Sequence, residues 1–165
     1  MSDPPVLTGR LIIVCGLPGS GKSTTARRLE DEHEAIRLCP DDWMAALAID
    51  IFDEPARGRI EQLQWSLAQR FLQLGRIVVI EWGNWRRDER DALRAAARAQ
   101  GAAVELRFLD APIDELWERV RVRDRERHLG HRALTRSDLE DYATAFQRPD
   151  AAELALYDPP LDVSR

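Results

Sequence analysis

The sequence has few cysteines, no long apolar run and no excess of positive charge. Two cysteines in 165 residues are too few for a disulfide framework, which excludes a small disulfide-stapled secreted protein. The longest apolar runs, residues 11–15 and 77–80, are far shorter than the ~20 residues that span a bilayer. The first ten residues carry prolines and an acid where a signal peptide needs a basic and then an apolar run. We therefore expect a soluble, cytoplasmic protein without a membrane segment.

The charge balance argues against a surface built for nucleic acid. The chain contains 24 lysines and arginines against 29 aspartates and glutamates, a formal net charge of −5. A protein that binds nucleic acid or an anionic membrane over a broad surface is usually basic. Nucleic acid is therefore a disfavoured partner that would need a local basic patch.

The pattern of apolar residues predicts an α/β fold. With 44% hydrophobic residues, the chain is long enough for one domain with a real core. Short strand-like runs alternate with longer segments of helical period, which is typical of a parallel sheet covered by helices on both faces. Strands are predicted at 11–15, 35–38, 77–80 and 104–109, and helices from about 22, at 43–51, about 55–74, 88–100, 113–127 and 135 to about 146. Residues 1–9 and about 150–165 should be partly irregular tails, and 77–80 should be a central strand.

A glycine-rich motif lies between the first strand and the first helix. The residues that match the pattern G-x-x-x-x-G-K-[ST] are Gly16, Leu17, Pro18, Gly19, Ser20, Gly21, Lys22 and Ser23. Glycines allow successive backbone N–H groups to turn inward and form an anion-binding nest. Lys22 would place a charge on the β and γ phosphates, Ser23 a hydroxyl on Mg²⁺, and Thr24 a further hydrogen bond on a phosphate. The motif predicts a nucleotide site.

These and later segments resemble the small P-loop kinases of the zeta-toxin, chloramphenicol phosphotransferase and polynucleotide kinase type, and especially the bacterial AAA-family ATP-binding proteins among them. The segments that carry the resemblance are 16–24, 40–43, 80–85 with 86–90, and 109–112 leading to Glu115, Leu116 and the arginines that follow. The resemblance covers most of the chain. It implies one P-loop NTPase domain over residues 1–165, with a sheet of four or five strands, a helical lid, and ATP and Mg²⁺ as cofactors.

Two adjacent carboxylates, Asp41 and Asp42, follow the second predicted strand. A kinase that phosphorylates a hydroxyl needs a carboxylate to orient the attacking oxygen and accept its proton. The resemblance to polynucleotide kinases assigns this role to Asp41 and leaves Asp42 as a helix cap, although both acids could simply cap the next helix. Where those kinases place an arginine that contacts nucleic acid, this chain has Met44, which favours a small-molecule acceptor.

Glu81 follows the strand at 77–80, where related proteins usually carry an aspartate that holds Mg²⁺ through water. Glu81 and Ser23 are therefore the candidate metal residues. The alternative for Glu81 is a strand-end acid in solvent or an ion pair with Arg86.

Five arginines alternate with other residues between 119 and 127. At about 100° per residue, Arg119, Arg123 and Arg127 share one stripe of a helix, whereas Arg121 and Arg125 point to the other side. Arg119 and Arg123 match the lid arginines of the kinases named above, which neutralise charge on the transferred phosphate. The alternative is a solvated face with Glu115–Arg119 and Glu118–Arg121 pairs. His128, Gly130 and His131 would form the tip of the lid.

The preferred function is an ATP-dependent phosphotransferase that moves the γ-phosphate to a hydroxyl of a small molecule. Asp41, Lys22, Arg119 and Arg123 would be its catalytic residues. A polynucleotide 5′-hydroxyl kinase and a regulatory nucleotide-binding NTPase without an acceptor are the alternatives.

Overall fold

The computed structural model describes residues 8–126 and 133–161. The strands are β1 Arg10–Cys15, β2 Ile36–Leu38, β3 Ile77–Gly83 and β4 Ala103–Phe108. The helices are α1 Lys22–His33, α2 Pro40–Ala46, α3 Glu54–Gln73, α4 Arg87–Ala99, α5 Ile113–Glu126, α6 Arg136–Ala145 and α7 Ala151–Leu154.

The described strands form one parallel sheet in the order β2-β3-β1-β4. Both interior strands, β1 and β3, contain a continuous β-branched or aliphatic run, residues 11–14 and 77–80, because helices cover them on both sides. All strands end at the same edge of the sheet. In open α/β sheets, ligands bind outside this carboxyl edge.

Alternating side chains of the strands divide the core into two layers. Ile12, Val14 and Val79 pack with Ala26 and Leu29 of α1 on one face. The other face packs against α3, α4 and the helices that follow, through the side chains of Leu11, Ile13, Val78, Ile80, Ala68, Leu72, Ala97, Leu116 and Leu139. This alternation decides which way the side chains at the strand ends point. The α/β fold with a parallel sheet and helices on both faces is confirmed.

Two predicted boundaries are wrong. Helix α2 spans Pro40–Ala46 instead of 43–51, because Pro40 fits the first position of a helix and Ala48 has a positive φ of 55°. Strand β3 continues to Gly83, so Glu81 lies inside the strand. The chain after residue 150 includes α7, whose Glu153 is buried. The predicted lid tip, His128, Gly130 and His131, lies outside the described residues.

A capping box starts α6, in which the Thr135 hydroxyl accepts from the Asp138 backbone N–H. Cys15 and Cys39 are free and buried. None of the helices in residues 8–126 and 133–161 combines the length and hydropathy required to span a membrane.

Candidate active site

The glycine-rich loop connects β1 to α1 at the carboxyl edge of the sheet. Gly21 precedes the helix with φ 93°, and a Cβ at this position would meet no atom within 4 Å, so the loop surface is open there. A Cβ at Gly19, where φ is 82°, would lie 2.7 Å from the backbone oxygen of Leu116. Glycine is therefore required at Gly19 by close packing against α5, and at Gly21 by the backbone conformation.

Lys22, the first residue of α1, folds back over the loop. Its Nζ donates hydrogen bonds to the backbone oxygens of Gly16 at 2.9 Å and Leu17 at 3.0 Å. Burial lowers the pKa of Lys22 to about 8, while the negative charges of Glu81 and Asp41 act in the opposite direction. Lys22, Glu81 and Asp41 therefore share one electrostatic neighbourhood.

Glu81 points toward α1 because it alternates with Trp82 along β3. Its side chain is 2% exposed and pairs with Arg37 of the edge strand β2. Arg37 also pairs with Asp42 and, at 3.3 Å, with Glu30 of α1. One guanidinium thus connects the phosphate-loop helix, β3 and α2. The predicted alternative partner of Glu81, Arg86, instead pairs with Asp88 at 2.6 Å.

Asp41 and Asp42 lie in the first turn of α2 but have different partners. The N-cap residue is Cys39, and no side chain caps the helix. The role of Asp42 as a helix cap is therefore wrong, because its carboxylate pairs with Arg37. Asp41 Oδ1 accepts a 2.5 Å hydrogen bond from Arg57 of α3, and the Asp41 side chain is 51% exposed.

The N-terminal part of α5 packs against the phosphate loop. Leu116 and Val120 are buried there, and Arg119, on the same side of the helix, donates a 3.4 Å hydrogen bond to the Gly19 backbone oxygen. The positive charge of Arg123 is close enough to oppose the charge on Lys22.

The predicted surface pairs are also present on α5. Arg119 bonds Glu115 at 3.2 Å and Arg121 bonds Glu118 at 2.5 Å. Arg119 therefore contacts both a surface glutamate and the phosphate loop, whereas the described bond of Arg121 is to a glutamate of its own helix. The side chain of Arg125 and the whole of Arg127 lie outside the described residues.

The tryptophans near the strand ends pack against the protein. The indole of Trp82 donates to Gln64 Oε1 at 2.9 Å and meets Trp65 edge to face at 6.3 Å. Trp85 lies 4.9 Å from the ring of Tyr142. Both indoles are partly buried, so each has a packing role at the edge where the loop and the acids lie.

Several charged residues near the site had no signal in the sequence. Arg37, Arg57 and Glu61 belong to no motif. Arg37 and Arg57 have partners on other elements of the fold, and Glu61 pairs with Arg57 of its own helix. Arg90 is fully buried and holds Glu153 of α7 through two bonds of 2.6 and 2.9 Å. Arg90 also donates to the backbone oxygens of Asn84 at 2.9 Å and Gln147 at 2.8 Å, which fixes the loop after β3.

The geometry agrees with comparisons of sequence and structure. The family model described as "AAA domain" matches residues 11–149. No curated protein is significantly similar to this chain.

Solved structures share the fold. A chain of the Pnkp1/Rnl/Hen1 RNA repair complex is similar with a TM-score of 0.74 at 22% identity, over 95% of this chain and 49% of that chain. This chain thus spans about half the length of that relative. Chaetomium thermophilum Kti12, in complex with ADP-AlF3, is similar with a TM-score of 0.66 at 22% identity, over 86% of this chain and 82% of that chain.

Mycobacterium tuberculosis APS kinase CysC, in complex with AMPPNP and APS, gives a TM-score of 0.58 at 23% identity, over 88% and 85% of the two chains. The matched family model, the loop geometry and these solved structures agree on a P-loop fold. The chain belongs to the AAA domain family and shares the P-loop fold of these solved structures.

Proposed function

We propose that this protein is an ATP-dependent phosphotransferase that moves the γ-phosphate to a hydroxyl of a small molecule in the cytoplasm. The observation that carries the proposal is the half-exposed Asp41 carboxylate in the first turn of α2, whose negative charge acts on the Lys22 ammonium group. A bare nucleotide switch needs a phosphate lysine, but it needs no half-exposed carboxylate beside it.

The loop residues fit the phosphates of ATP. The backbone N–H groups of residues 16–24 and the ammonium group of Lys22 would bind them, at the positive end of α1. Gly21 offers an open surface, and Ser20 Oγ is buried without a hydrogen-bond partner in the described structure. Thr24 is exposed at the start of α1 and can donate to a further phosphate.

Ser23 and Glu81 are the residues that would hold Mg²⁺. Ser23 is exposed at the start of α1, and the Glu81 carboxylate has one oxygen bonded to Arg37, so the second can serve the ion. Mg²⁺ in such sites is usually held by one or two protein side chains besides the phosphates. The ion would neutralise charge on the β and γ phosphates.

Asp41 would act on the acceptor. The acceptor oxygen forms the new bond to the γ-phosphorus, the bond from that phosphorus to ADP breaks, and the hydroxyl proton moves to Asp41. Because Arg57 binds Oδ1, the proton would go to Oδ2. Arg57 thus orients the base.

Arg119 and Arg123 would stabilise the negative charge on the transferred group. Both extend from the side of α5 that packs on Gly19, and guanidinium groups match the geometry of phosphate oxygens. Arg119 is already at the loop, within 3.4 Å of the Gly19 oxygen.

The structure also bears on the polynucleotide alternative. Met44, which replaces the arginine expected of a polynucleotide kinase, is fully buried. No cationic side chain is therefore supplied at that position of α2 for a nucleic-acid phosphate. The similarity to a chain of the RNA repair complex, at 22% identity, is a similarity of fold alone.

A transfer assay with γ-labelled ATP tests the proposal. Purified protein is incubated with separate pools of sugars, aminoglycosides, nucleosides and a 5′-hydroxyl oligonucleotide. We expect label in a small-molecule ester that is absent from an Asp41→Asn sample. Label in the oligonucleotide would favour the polynucleotide kinase, and hydrolysis that no pool changes would favour the regulatory NTPase.

A further inference from the structure

One stripe of α3 connects the candidate base to the end of β3. Arg57, Glu61 and Gln64 are four and three residues apart and lie on the same side of the helix. Arg57 bonds Asp41 of α2 at 2.5 Å, and Gln64 accepts from the Trp82 indole at 2.9 Å. The two anchors are separated by seven residues, about 10 Å along the helix axis. Glu61 lies between them.

Glu61 is placed to meet a ligand. Its side chain is 29% exposed, and its described ion pair is with Arg57 at a distance of 4.0 Å, which is too long for a hydrogen bond. The negative charges that face it are Asp41 of α2, Glu54 of α3 and Glu89 of α4. Burial, assisted by these acids and opposed by Arg57, raises the pKa of Glu61 to about 7. Near neutral pH its carboxyl group can thus both donate and accept hydrogen bonds.

Gln64 provides a second, independent indication. The residue is fully buried, and its Nε2 has no hydrogen-bond partner in the described structure, although its Oε1 is used by Trp82. A buried amide donor without an acceptor is unfavourable, and a ligand oxygen bound beside it would remove that cost. The stripe therefore offers the Glu61 carboxyl group and the unused amide N–H of Gln64, beside the Trp82 indole of β3.

The local charge selects against an anionic acceptor. The Arg57 guanidinium that faces Glu61 is already bonded to Asp41, while Glu54 and Glu89 add further negative charge around Glu61. A phosphate or carboxylate on the acceptor would meet this excess of negative charge in a partly desolvated place. Hydroxyl groups would instead find donors and acceptors on the stripe.

We propose that Glu61 and Gln64 bind the acceptor, and that the acceptor is a polyol without an anionic group. This inference rests on the proposed phosphotransferase function and names its substrate class. Asp41 would take the proton of one hydroxyl, while Glu61 and Gln64 hold others. Glu61 is then a specificity-determining residue.

The experiment compares two acceptor pools with γ-labelled ATP. One contains hexoses, pentoses, cyclitols and their amino derivatives, and the other contains hexonates, sugar phosphates and a 5′-hydroxyl oligonucleotide. We expect at least a tenfold preference for a member of the first pool. Transfer mainly to the second pool overturns the inference but keeps the phosphotransferase. Transfer to neither pool, with ATP still hydrolysed, overturns the phosphotransferase and the inference together.

Glu61→Gln then tests the residue on the preferred polyol. The amide keeps the size of the side chain but removes its charge, so KM for the polyol should rise about tenfold with kcat and the KM for ATP nearly unchanged. Discrimination against the hexonates should fall. The control is Glu140→Gln on α6, whose partner is Arg136 at 2.9 Å on the surface, and it should change neither value. Unchanged KM and discrimination in Glu61→Gln would overturn its assignment.

Discussion

The phosphate loop is built mainly from backbone, whereas the charged side chains beside it come from four elements that are distant in the sequence. The loop needs glycines, one lysine and the start of α1, all within nine residues. On the proposed acceptor side, Arg57 of α3 pairs with Asp41 of α2, and at the proposed metal site Arg37 of β2 pairs with Glu81 of β3. Substitutions on the proposed acceptor side should therefore leave the affinity for ATP nearly unchanged but slow the transfer of the γ-phosphate.

Lys22→Ala should have the largest effect of any change on the nucleotide side. Loss of the ammonium group removes the charge that the loop holds above Gly16 and Leu17. Turnover should fall below detection, and affinity for an ATP analogue should weaken by about 10–100-fold. Calorimetry measures the affinity, and circular dichroism confirms the fold. A folded variant with normal affinity and turnover would contradict the assignment of the glycine-rich loop as the phosphate-binding site.

Asp41→Asn should impair the proposed acceptor side without changing the nucleotide site. The amide cannot accept the proton, so transfer should fall by about 10²–10⁴-fold, while ATP binding is kept. Asp42→Asn is the matched control, because Asp42 pairs with Arg37 and faces a different partner. Steady-state transfer rates with the identified acceptor measure both. An inactive Asp42→Asn variant together with an active Asp41→Asn variant would show that Asp42, and not Asp41, is the base.

Glu153→Gln should destabilise the protein, since it leaves Arg90 buried without its countercharge. Both side chains are at most 1% exposed, and breaking such a pair costs about 3–5 kcal/mol. Urea unfolding measures the loss. The control, Glu140→Gln, breaks an exposed pair and should change the free energy of unfolding by less than about 1 kcal/mol. Equal losses would contradict the assignment of Arg90 as the anchor of the loop after β3.

Arg119→Ala and Arg123→Ala should lower kcat by about 10–100-fold, the value of a hydrogen bond to a charged group. Affinity for ATP should change little, because the charge they meet develops during transfer. Arg121→Ala should be nearly silent, as Arg121 pairs with Glu118 on the surface. Similar kcat values for all three variants would contradict a special role for the stripe that faces the loop.

The smallest effect that we expect is a pH dependence of the affinity for ATP, caused by the titration of Lys22. With a pKa of about 8, Lys22 loses its proton above this pH, and bound phosphate restores it. Affinity for an ATP analogue should therefore weaken about tenfold between pH 7 and pH 9. Calorimetry at pH 9 in buffers of different ionisation enthalpy should show uptake of nearly one proton. Lys22→Arg should remove that uptake, and a proton uptake of zero in the unsubstituted protein would contradict the assignment.

Local signals predicted the phosphate loop, the strands and most helices, because each depends on residues close together in the chain. The acceptor side could not be predicted in the same way. Arg57 lies 16 residues from Asp41, and Glu153 lies 63 residues from Arg90, so only the folded chain brings them together. The start of α2 was predictable, since proline is favoured at the first position of a helix.

Transfer to a hydroxyl can be separated from hydrolysis by following the γ-phosphate in water enriched in ¹⁸O. Hydrolysis places ¹⁸O from water in the released phosphate, whereas transfer leaves an ester without the label. With the pool of neutral and amino polyols present, we predict that most of the γ-phosphate appears as unlabelled ester, and that Asp41→Asn abolishes this product. Recovery of all the γ-phosphate as ¹⁸O-labelled inorganic phosphate, at the same rate with every acceptor pool as without one, would contradict the proposed phosphotransferase.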